Sequence, residues 1–329
     1  AKDVATVPMN GVAGSLGVTG IMGHPATVES IRESALCLLV GTRLSMTARG
    51  GLEDALDGVR VLSVGSAEPY VPCTHVEATD LRTTLGFLAR AVAGSVAPEH
   101  PVRRGRSELS PPVSRGPGVR YRDAMRALDE SLPAGVDIVV DAGNTGAAAL
   151  HYLPHRRDGR FLVALGMGGM GYSFGAGIGV ACARGRRTVV IAGDGAFFMH
   201  GLELHTAVEH RLPVTFVVLN NNAHAMCVTR EQLFYGDRYS YNRFHPSWIA
   251  AGLSAMFPGL FAVEVSDGEH LRPALATALR RPGPSVLSVA CSADEIPPFA
   301  PFLAALESRS PVPSGQRTKE DHVHVRVSA

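Results

Sequence analysis

The feature that most constrains this chain is a pair of successive apolar strands that each end in a polar oxygen donor. The run RTVVIAGDG, residues 187–195, is predicted to be a buried parallel strand that ends with Asp194 between two glycines. The run PVTFVVLNNN, residues 213–222, is predicted to be a second buried strand that ends near Asn221, with a helix from about 198 to 211 between the two. Such a crossover is right-handed, so both side chains are expected at the same carboxyl edge, where open α/β sheets bind ligands.

The side chains at this edge favour a hard divalent cation. Asp194 supplies an anionic oxygen, Asn221 a neutral carbonyl oxygen, and a backbone carbonyl just beyond Asn221 a third. Mg²⁺ prefers oxygen ligands and often shares them with phosphates. Gly193 is predicted to permit a sharp turn, and Gly195 and Ala196 to leave backbone N–H groups open at a helix N-terminus, where an anion can bind. The pattern therefore predicts a carboxylate that holds a metal ion, and a metal ion that holds a diphosphate.

Strands alternate with helices along the rest of the chain, which predicts an α/β protein with two parallel-sheet domains and flanking helices. In the first domain, residues 31–41 are read as a helix end that passes into a buried strand. The predicted order is a first domain at 1–96, a Pro-, Arg-, Ser- and Gly-rich linker at 97–118, a second domain at 119–307 and a polar tail at 308–329. The other predicted elements are strands at 59–65, 136–144 and 213–222, helices at 81–94 and 121–132, a strand, glycine-rich turn and helix at 161–183, and a strand, helix and strand between 260 and 291.

Composition argues against several classes of protein. A formal net charge of +1 offers no electrostatic basis for binding nucleic acid or an anionic membrane. No apolar run is long enough to span a bilayer, and no secretory signal opens the sequence. The five cysteines are far apart, so a disulfide framework or zinc site is not expected. A reducing cytoplasm is the expected location. The start at Ala1, without a methionine, suggests a processed fragment, a nicked product or one subunit of a split enzyme.

These motifs resemble those of thiamine-diphosphate-dependent enzymes. GDG at 193–195 followed by NN at 220–221 is similar to the cofactor motif of the superfamily that includes acetolactate synthase, benzoylformate decarboxylase and pyruvate decarboxylase. Residues 1–94 resemble the later half of its middle domain, and the likeness extends to about residue 295. Further matches are DAGN at 141–144 with the first diphosphate loop, GMGGMGYSFGAGIGVA at 166–181 with the glycine-rich stretch beneath the thiazolium ring, GLEL at 201–204 with the helix after GDG, and GTRLS at 41–45.

The resemblance implies roles for individual residues. Asp194 and the side chain of Asn221 would coordinate Mg²⁺ together with the main-chain carbonyl of Ala223. Met170 would be the apolar wedge that keeps thiamine diphosphate in its bent, reactive conformation; without the resemblance it is by default a core methionine. The thiazolium would then serve as an electron sink when a 2-oxo acid loses CO₂. The positions implied to contact the cofactor are Asn144, Gly168, Met170, Gly193, Gly195, Ala196 and Asn221.

The sequence departs from the family pattern after the second strand. The usual NN-x-G-x-G is NNNAHAM here, with Ala223 and Ala225 where glycines are common. This places His224 close to the cofactor, as a proton shuttle, a donor to the substrate carboxylate or a residue without a catalytic role. Cys227 is either a small buried residue or a reactive thiol. Residues 230–248 are either a cover over the substrate or an ordinary subunit contact.

The predicted function is that of an enzyme component, a lyase or transferase similar to acetolactate synthase, in decarboxylation or carboligation of a 2-oxo acid. No glutamate occupies a segment comparable to the pyrimidine-binding domain, so a second chain or N-terminal fragment carrying that domain and its activating glutamate is expected, in a dimer or heterotetramer. FAD is not expected, because residues 1–94 contain no dinucleotide loop. The alternatives are a noncatalytic scaffolding subunit, a dehydrogenase with a GxGxxG loop at 166–171, and turn residues without a ligand.

Overall fold

The computed structural model describes residues 15–94, 107–154, 159–238 and 241–308. The extreme N-terminus, residues 97–106 of the predicted linker and the predicted tail beyond residue 308 lie outside these ranges. In the first part of the chain the elements are α1 Pro25–Arg32, β1 Leu36–Val40, α2 Met46–Arg49, α3 Glu53–Asp57, β2 Arg60–Gly65, β3 Thr74–Glu77 and α4 Leu81–Val92.

The second part of the chain carries the larger set of elements. They are α5 Tyr121–Ser131, β4 Asp137–Val140, α6 Gly143–Tyr152, β5 Phe161–Val163, α7 Tyr172–Arg184, β6 Thr188–Gly193, α8 Asp194–His200, a 3₁₀ turn at Gly201–Glu203, α9 Leu204–Glu209, β7 Val214–Asn220, α10 Ala225–Phe234, α11 Ile249–Met256, β8 Phe261–Val265, α12 Gly268–Leu279, β9 Ser285–Ala290 and α13 Ala300–Ser308.

Two parallel sheets organise these elements, as the alternation of strands and helices predicted. The first has the order β1-β2-β3 and the second the order β5-β4-β6-β7-β9-β8. Every neighbouring pair in both sheets is parallel. The α/β fold class with two parallel-sheet domains is therefore confirmed.

The core of the second sheet lies on both of its faces. All seven residues of β7 are buried, and successive side chains enter opposite clusters because side chains alternate along a strand. Val217 and Leu219 pack with residues of α5, α6 and α12. Phe216 and Val218 pack with residues of α7, α9 and α11. This double coverage explains the uninterrupted apolar run of the sequence, which is typical of a central parallel strand.

The first sheet is less covered than its sequence predicted. Residues 31–41 were expected to end in a buried strand, but Leu36 is 46% exposed and Leu38 is 42% exposed. Helix α4 has no buried residue. Among the described residues, helices therefore cover this sheet incompletely, whereas a parallel sheet normally carries elements on both faces. The prediction of a buried strand at β1 is wrong for this structure.

Two boundaries near the carboxyl edge also differ from the prediction. The helix expected from about residue 198 begins at Asp194 itself, and the 3₁₀ turn divides it before α9. The strand expected at 136–144 ends at Val140, and the unpredicted α6 begins at Gly143, whose φ of +84° favours glycine. In both places a helix begins within three residues of the end of a strand.

The two parts of the chain meet through a buried pair of histidines. The rings of His24 and His151 stack at 4.4 Å with an interplanar angle of 9°. The backbone N–H of Leu109 donates to His151 Nε2 at 2.9 Å, so the described end of the predicted linker runs against the second sheet's domain. None of the helices in the described ranges is both long and apolar enough to cross a membrane.

Candidate metal and diphosphate site

The carboxyl ends of β6 and β7 bring Asp194 and Asn221 together. Gly193 lies opposite Leu219 in the strand register, so each polar residue directly follows its strand. Asp194 is fully buried; its Oδ1 accepts from the Asn221 backbone N–H at 3.3 Å and its Oδ2 from the Ala223 backbone N–H at 3.1 Å. Burial raises the pKa of Asp194 to about 6, against the opposing effect of these hydrogen bonds. The two predicted donors therefore lie at one place on the sheet edge.

The amide of Asn221 has an oxygen that no described residue satisfies. Its Nδ2 donates to the hydroxyl oxygen of Tyr121 at 3.0 Å, whereas its Oδ1 is buried and has no hydrogen-bond partner. A buried acceptor without a partner costs on the order of 1–3 kcal/mol. Beside a buried carboxylate, such an oxygen is suited to a cation.

The carbonyl of Ala223 points to the same place. Ala223 pairs with Arg243 in an antiparallel bridge, and the hydrogen bonds of that bridge are made by its neighbours, from His224 N to Asn242 O and from Phe244 N to Asn222 O. In extended backbone the N–H and C=O of one residue face the same side. Because the N–H of Ala223 donates to Asp194, its carbonyl also faces Asp194. One carboxylate, one amide oxygen and one backbone carbonyl form a donor set that fits Mg²⁺.

Two residues of the DAGN segment, Asp141 and Asn144, have different roles. The buried Asp141 accepts from the backbone N–H groups of Gly171 at 3.0 Å and Ser173 at 3.1 Å, which anchors the start of α7 to the end of β4. Asn144 is buried on the first turn of α6; its Nδ2 donates to the backbone oxygen of Glu295 at 3.4 Å, and its Oδ1 has no partner. Asp141 therefore supports the glycine-rich stretch, and Asn144 faces the polar cluster.

Sequence reasoning missed two members of this cluster, Tyr121 and Glu295. Both are buried, and the Tyr121 backbone N–H donates to Glu295 Oε1 and Oε2 at 3.0 and 3.1 Å. Burial raises the pKa of Tyr121 well above its usual range, although hydrogen bonds from the Asn221 and Asn144 amides lower it. Burial also raises the pKa of Glu295 to about 7. The available signal for Glu295 was its place shortly after β9, the strand beside β7.

The glycines near the site differ in their backbone conformation and in the space around them. Gly193 has extended backbone, with φ −88° and ψ 163°, and an added Cβ would lie 3.5 Å from Thr145 Oγ1, an ordinary contact. The predicted need for a sharp turn at Gly193 is therefore wrong. At Gly195 an added Cβ would lie 2.5 Å from His224 Nδ1 and 3.0 Å from Met170 Cε, so a side chain there requires movement. Gly168 has a φ of +66° and is exposed, with open space where a Cβ would be.

Met170 and His224 both lie against the start of α8. The half-buried Met170 packs on the cluster that includes Phe174 and Ala196. His224 packs edge-to-face on Phe244, with ring centroids 4.7 Å apart, and its buried Nδ1 has no hydrogen-bond partner among the described residues. The structure therefore brings both side chains to Gly195, at the edge of the candidate metal site. Cys227 is half-buried on α10.

The segment from 241 to 247 runs along the three asparagines. Ser247 N donates to Asn222 Oδ1 at 2.9 Å, and Asn220 Nδ2 donates to Ser247 O at 3.0 Å. Arg243 forms an ion pair with Asp294 at 2.6 Å. Asn220 and Asn222 therefore hold this segment, and Asn221 alone of the three asparagines contributes a side-chain oxygen to the candidate ion site.

Comparison with known proteins finds a family match in the part of the chain that carries this site. A family model described as "Thiamine pyrophosphate enzyme, C-terminal TPP binding domain" matches residues 141–289. The chain is 33% identical over 308 residues to the acetolactate synthase large subunit of Pyropia yezoensis, covering 90% of this chain and 52% of that protein. It is 31% identical over 187 residues to the acetolactate synthase isozyme 2 large subunit of Escherichia coli (strain K12), covering 56% of this chain and 34% of that protein. The solved structure of benzoylformate decarboxylase from Polynucleobacter necessarius matches with a TM-score of 0.66 at 19% identity, covering 85% of this chain and 53% of that one.

These findings confirm the predicted resemblance to the thiamine-diphosphate-dependent enzyme superfamily. The likeness to the solved structure, at 19% identity, concerns the fold. The chain spans about half the length of the curated relatives it matches. The family match contains Asp194, Asn221 and Ala223, whereas Tyr121 and Glu295 lie outside it on either side.

Proposed function

We propose that this chain, whose residues 141–289 match a thiamine-pyrophosphate-binding domain, is a component of an enzyme that uses thiamine diphosphate and Mg²⁺ to act on a 2-oxo acid. The reaction is a decarboxylation, a carboligation or both, similar to that of acetolactate synthase. The single observation that carries this proposal is the convergence of Asp194 and the unpartnered Oδ1 of Asn221 at the carboxyl edge of β6 and β7, beside the backbone of Ala223.

In this proposal the three oxygen donors hold Mg²⁺, and the ion holds the diphosphate. The carboxylate of Asp194 neutralises part of the ion's charge, and its buried setting excludes water that would compete for the ion. The backbone N–H groups of Gly195 and Ala196, in the first turn of α8, face the negative charge of the diphosphate. Asn144 contributes from the first turn of α6, the helix that follows β4.

The other side of the proposed cofactor is assigned to Met170 and the glycine-rich stretch. Thiamine diphosphate, when bound, supplies the thiazolium that accepts the electron pair left by CO₂. Met170 lies beside Gly195 and orients the ring as an apolar support. Gly168 comes two residues before Met170, and Gly193 two residues before Gly195. His224, with its unpartnered Nδ1, is proposed to hold or move a proton at the substrate.

The proposed site needs a pyrimidine-binding domain with an activating glutamate. That domain comes from another chain or another part of the polypeptide, in a dimer or heterotetramer. The surface next to α8 suits such a contact, since Phe198 is 53% exposed and Leu202 is 58% exposed, and large apolar side chains in one place mark contact surfaces. A reducing cytoplasm suits the five cysteines, all of which are free.

The alternative is a noncatalytic scaffolding subunit of such an enzyme. One observation favours it: the imidazole of His224 lies against Gly195, where an added Cβ would lie 2.5 Å from its Nδ1, so it occupies space beside the turn proposed to bind the diphosphate. A noncatalytic scaffolding subunit would keep the fold and bind no cofactor.

Isothermal titration calorimetry of the full chain with thiamine diphosphate, with and without Mg²⁺, tests the proposal. We expect Mg²⁺-dependent binding in the wild type and its loss in Asp194→Asn, because the neutral amide removes the only carboxylate of the ion site. Asp267→Asn is the matched control, since this residue, with a side chain 47% exposed, caps α12 and asparagine caps helices as well as aspartate does. Mg²⁺-dependent binding that survives in Asp194→Asn would refute the metal assignment, and a wild type that binds no thiamine diphosphate would favour the scaffolding alternative.

A further inference from the structure

We infer that Tyr121 is a positioning residue for the candidate ion site, and that its hydroxyl holds the Asn221 amide with Oδ1 directed to the ion. This inference rests on the proposed function, because it assigns a role toward the same ion. Tyr121 lies at the first position of α5, 100 residues before Asn221 in the sequence. Its side chain is almost fully buried, and its hydroxyl oxygen lies 3.0 Å from Asn221 Nδ2.

An asparagine amide needs such a partner to act as a ligand. Its oxygen and its NH₂ group have nearly the same size, so packing alone does not distinguish the two orientations. In one orientation the oxygen faces the ion; in the other an N–H donor with partial positive charge does. The Tyr121 hydroxyl accepts the Nδ2 hydrogen in this structure. Since a hydroxyl can also donate, it holds the amide in place, and the positive charge of the ion selects the orientation with Oδ1 toward it.

The loop after β9 holds the second amide of the site in the same way. The Oδ1 of Asn144, like that of Asn221, is buried and has no hydrogen-bond partner among the described residues. Each amide thus presents its NH₂ group to the protein, Asn221 to the Tyr121 hydroxyl and Asn144 to the Glu295 backbone oxygen. Neither amide oxygen has a hydrogen-bond donor in the part of the chain that the structure describes.

Tyr121 is itself held in place by a carboxylate. Its backbone N–H donates to both oxygens of Glu295 at 3.0 and 3.1 Å, and the backbone oxygen of Glu295 receives the Asn144 amide. The start of α5 is thereby tied to the loop after β9. The position of the hydroxyl beneath Asn221 therefore follows from a hydrogen-bonded cluster as well as from ring packing in the core.

The competing explanation is that Tyr121 only fills the core. The ring belongs to the cluster formed by α5, α6 and α12, and phenylalanine would fill that space equally well. Tyr121→Phe therefore keeps the packing and removes only the hydroxyl, so it separates the two roles. Tyr152→Phe is the matched control: its ring packs against the same core cluster, and no hydrogen bond joins its hydroxyl to Asn221 or Asn144 in the described structure.

The experiment measures Mn²⁺, as a spectroscopic substitute for Mg²⁺, by the electron paramagnetic resonance signal of the free ion in the presence of thiamine diphosphate. We expect Tyr121→Phe to weaken Mn²⁺ binding roughly 3- to 10-fold, the effect of losing one hydrogen bond that orients a ligand, and Tyr152→Phe to leave it unchanged. In an Asn221→Ala background, Tyr121→Phe should have no further effect, because the amide that it orients is absent. A purely structural role would not produce this dependence on Asn221.

Each outcome has a clear meaning. Wild-type Mn²⁺ affinity in Tyr121→Phe, or an equal loss with and without Asn221, would overturn the inference. A wild type that binds neither Mn²⁺ nor thiamine diphosphate would instead refute the proposed function. If Tyr121→Phe alone unfolds because the Asn221 NH₂ group is left unpaired, the double variant removes that group and is compared with Asn221→Ala. Weaker binding by the double variant than by Asn221→Ala would then contradict the inference.

Discussion

Replacing the buried carboxyl of Glu295 by an amide should change how the stability of the protein depends on pH. Burial raises the pKa of Glu295 from 4.5 to about 7 in the folded protein. The folded state therefore keeps the proton between these pH values, whereas the unfolded state releases it. The contribution of this group to stability is complete below pH 4.5 and is lost as the pH rises through about 7.

The expected magnitude follows from the shift. One unit of pKa corresponds to about 1.4 kcal/mol, so the change from 4.5 to about 7 corresponds to at most about 3 kcal/mol of unfolding free energy. In Glu295→Gln the amide does not titrate, and the Tyr121 N–H keeps an acceptor in the amide oxygen. The wild type should therefore lose up to about 3 kcal/mol more stability than Glu295→Gln between pH 4.5 and pH 8.

Urea unfolding at several pH values across this window, with a chelator present, measures the difference. Asp194 also has a raised pKa, but it is present in both proteins, so the difference between their curves isolates Glu295. Glu307→Gln, a change of an exposed residue on α13, controls for the loss of one negative charge. Parallel stability curves for the wild type and Glu295→Gln would refute the reasoning, because they would mean that Glu295 titrates alike in the folded and unfolded chains.

Three further predictions concern the site itself. Burial raises the pKa of Asp194 to about 6, and the ion needs the ionised carboxylate. Mn²⁺ affinity should therefore be constant above pH 7 and fall up to about tenfold per pH unit below pH 6. An affinity that does not change down to pH 5 would contradict this. Gly195→Ala should weaken thiamine diphosphate binding by about 1–3 kcal/mol, because the new Cβ would lie 2.5 Å from His224 Nδ1. Calorimetry should find the affinity restored when His224→Ala is added. If the affinity is not restored, His224 is not the obstacle. Met170→Ala should still bind the cofactor but exchange the thiazolium C2 proton more slowly by NMR, and a normal exchange rate would exclude the supporting role.

The carboxyl edge of the second sheet was predictable from the sequence because it follows from local rules. Long apolar runs predict buried parallel strands, and the right-handed crossover places the ends of β6 and β7 side by side. The proximity of Asp194 and Asn221 needs nothing more. The expected donor set of carboxylate, amide and backbone carbonyl follows from the same reasoning, although its role toward Mg²⁺ stays a prediction.

Other features depended on contacts that no local pattern reveals. The predicted turn at Gly193 was wrong because the chain stays extended there, and the motif glycine with crowded surroundings is Gly195, next to His224. The strand β1 was predicted to be buried from its apolar run, but burial requires covering elements on both faces. Its exposed leucines show that an apolar sequence alone does not determine coverage.

By itself, the sequence determined the α/β class, the two sheets and the edge at which the polar residues collect, since these follow from periodicity and from the handedness of strand connections. Only the tertiary structure decided which groups surround Asn221. Tyr121 reaches it across 100 residues, and Glu295 holds Tyr121 across 174 residues. Such contacts arise from how α5 and the loop after β9 pack on the sheet, and packing depends on shape in three dimensions rather than on spacing along the chain.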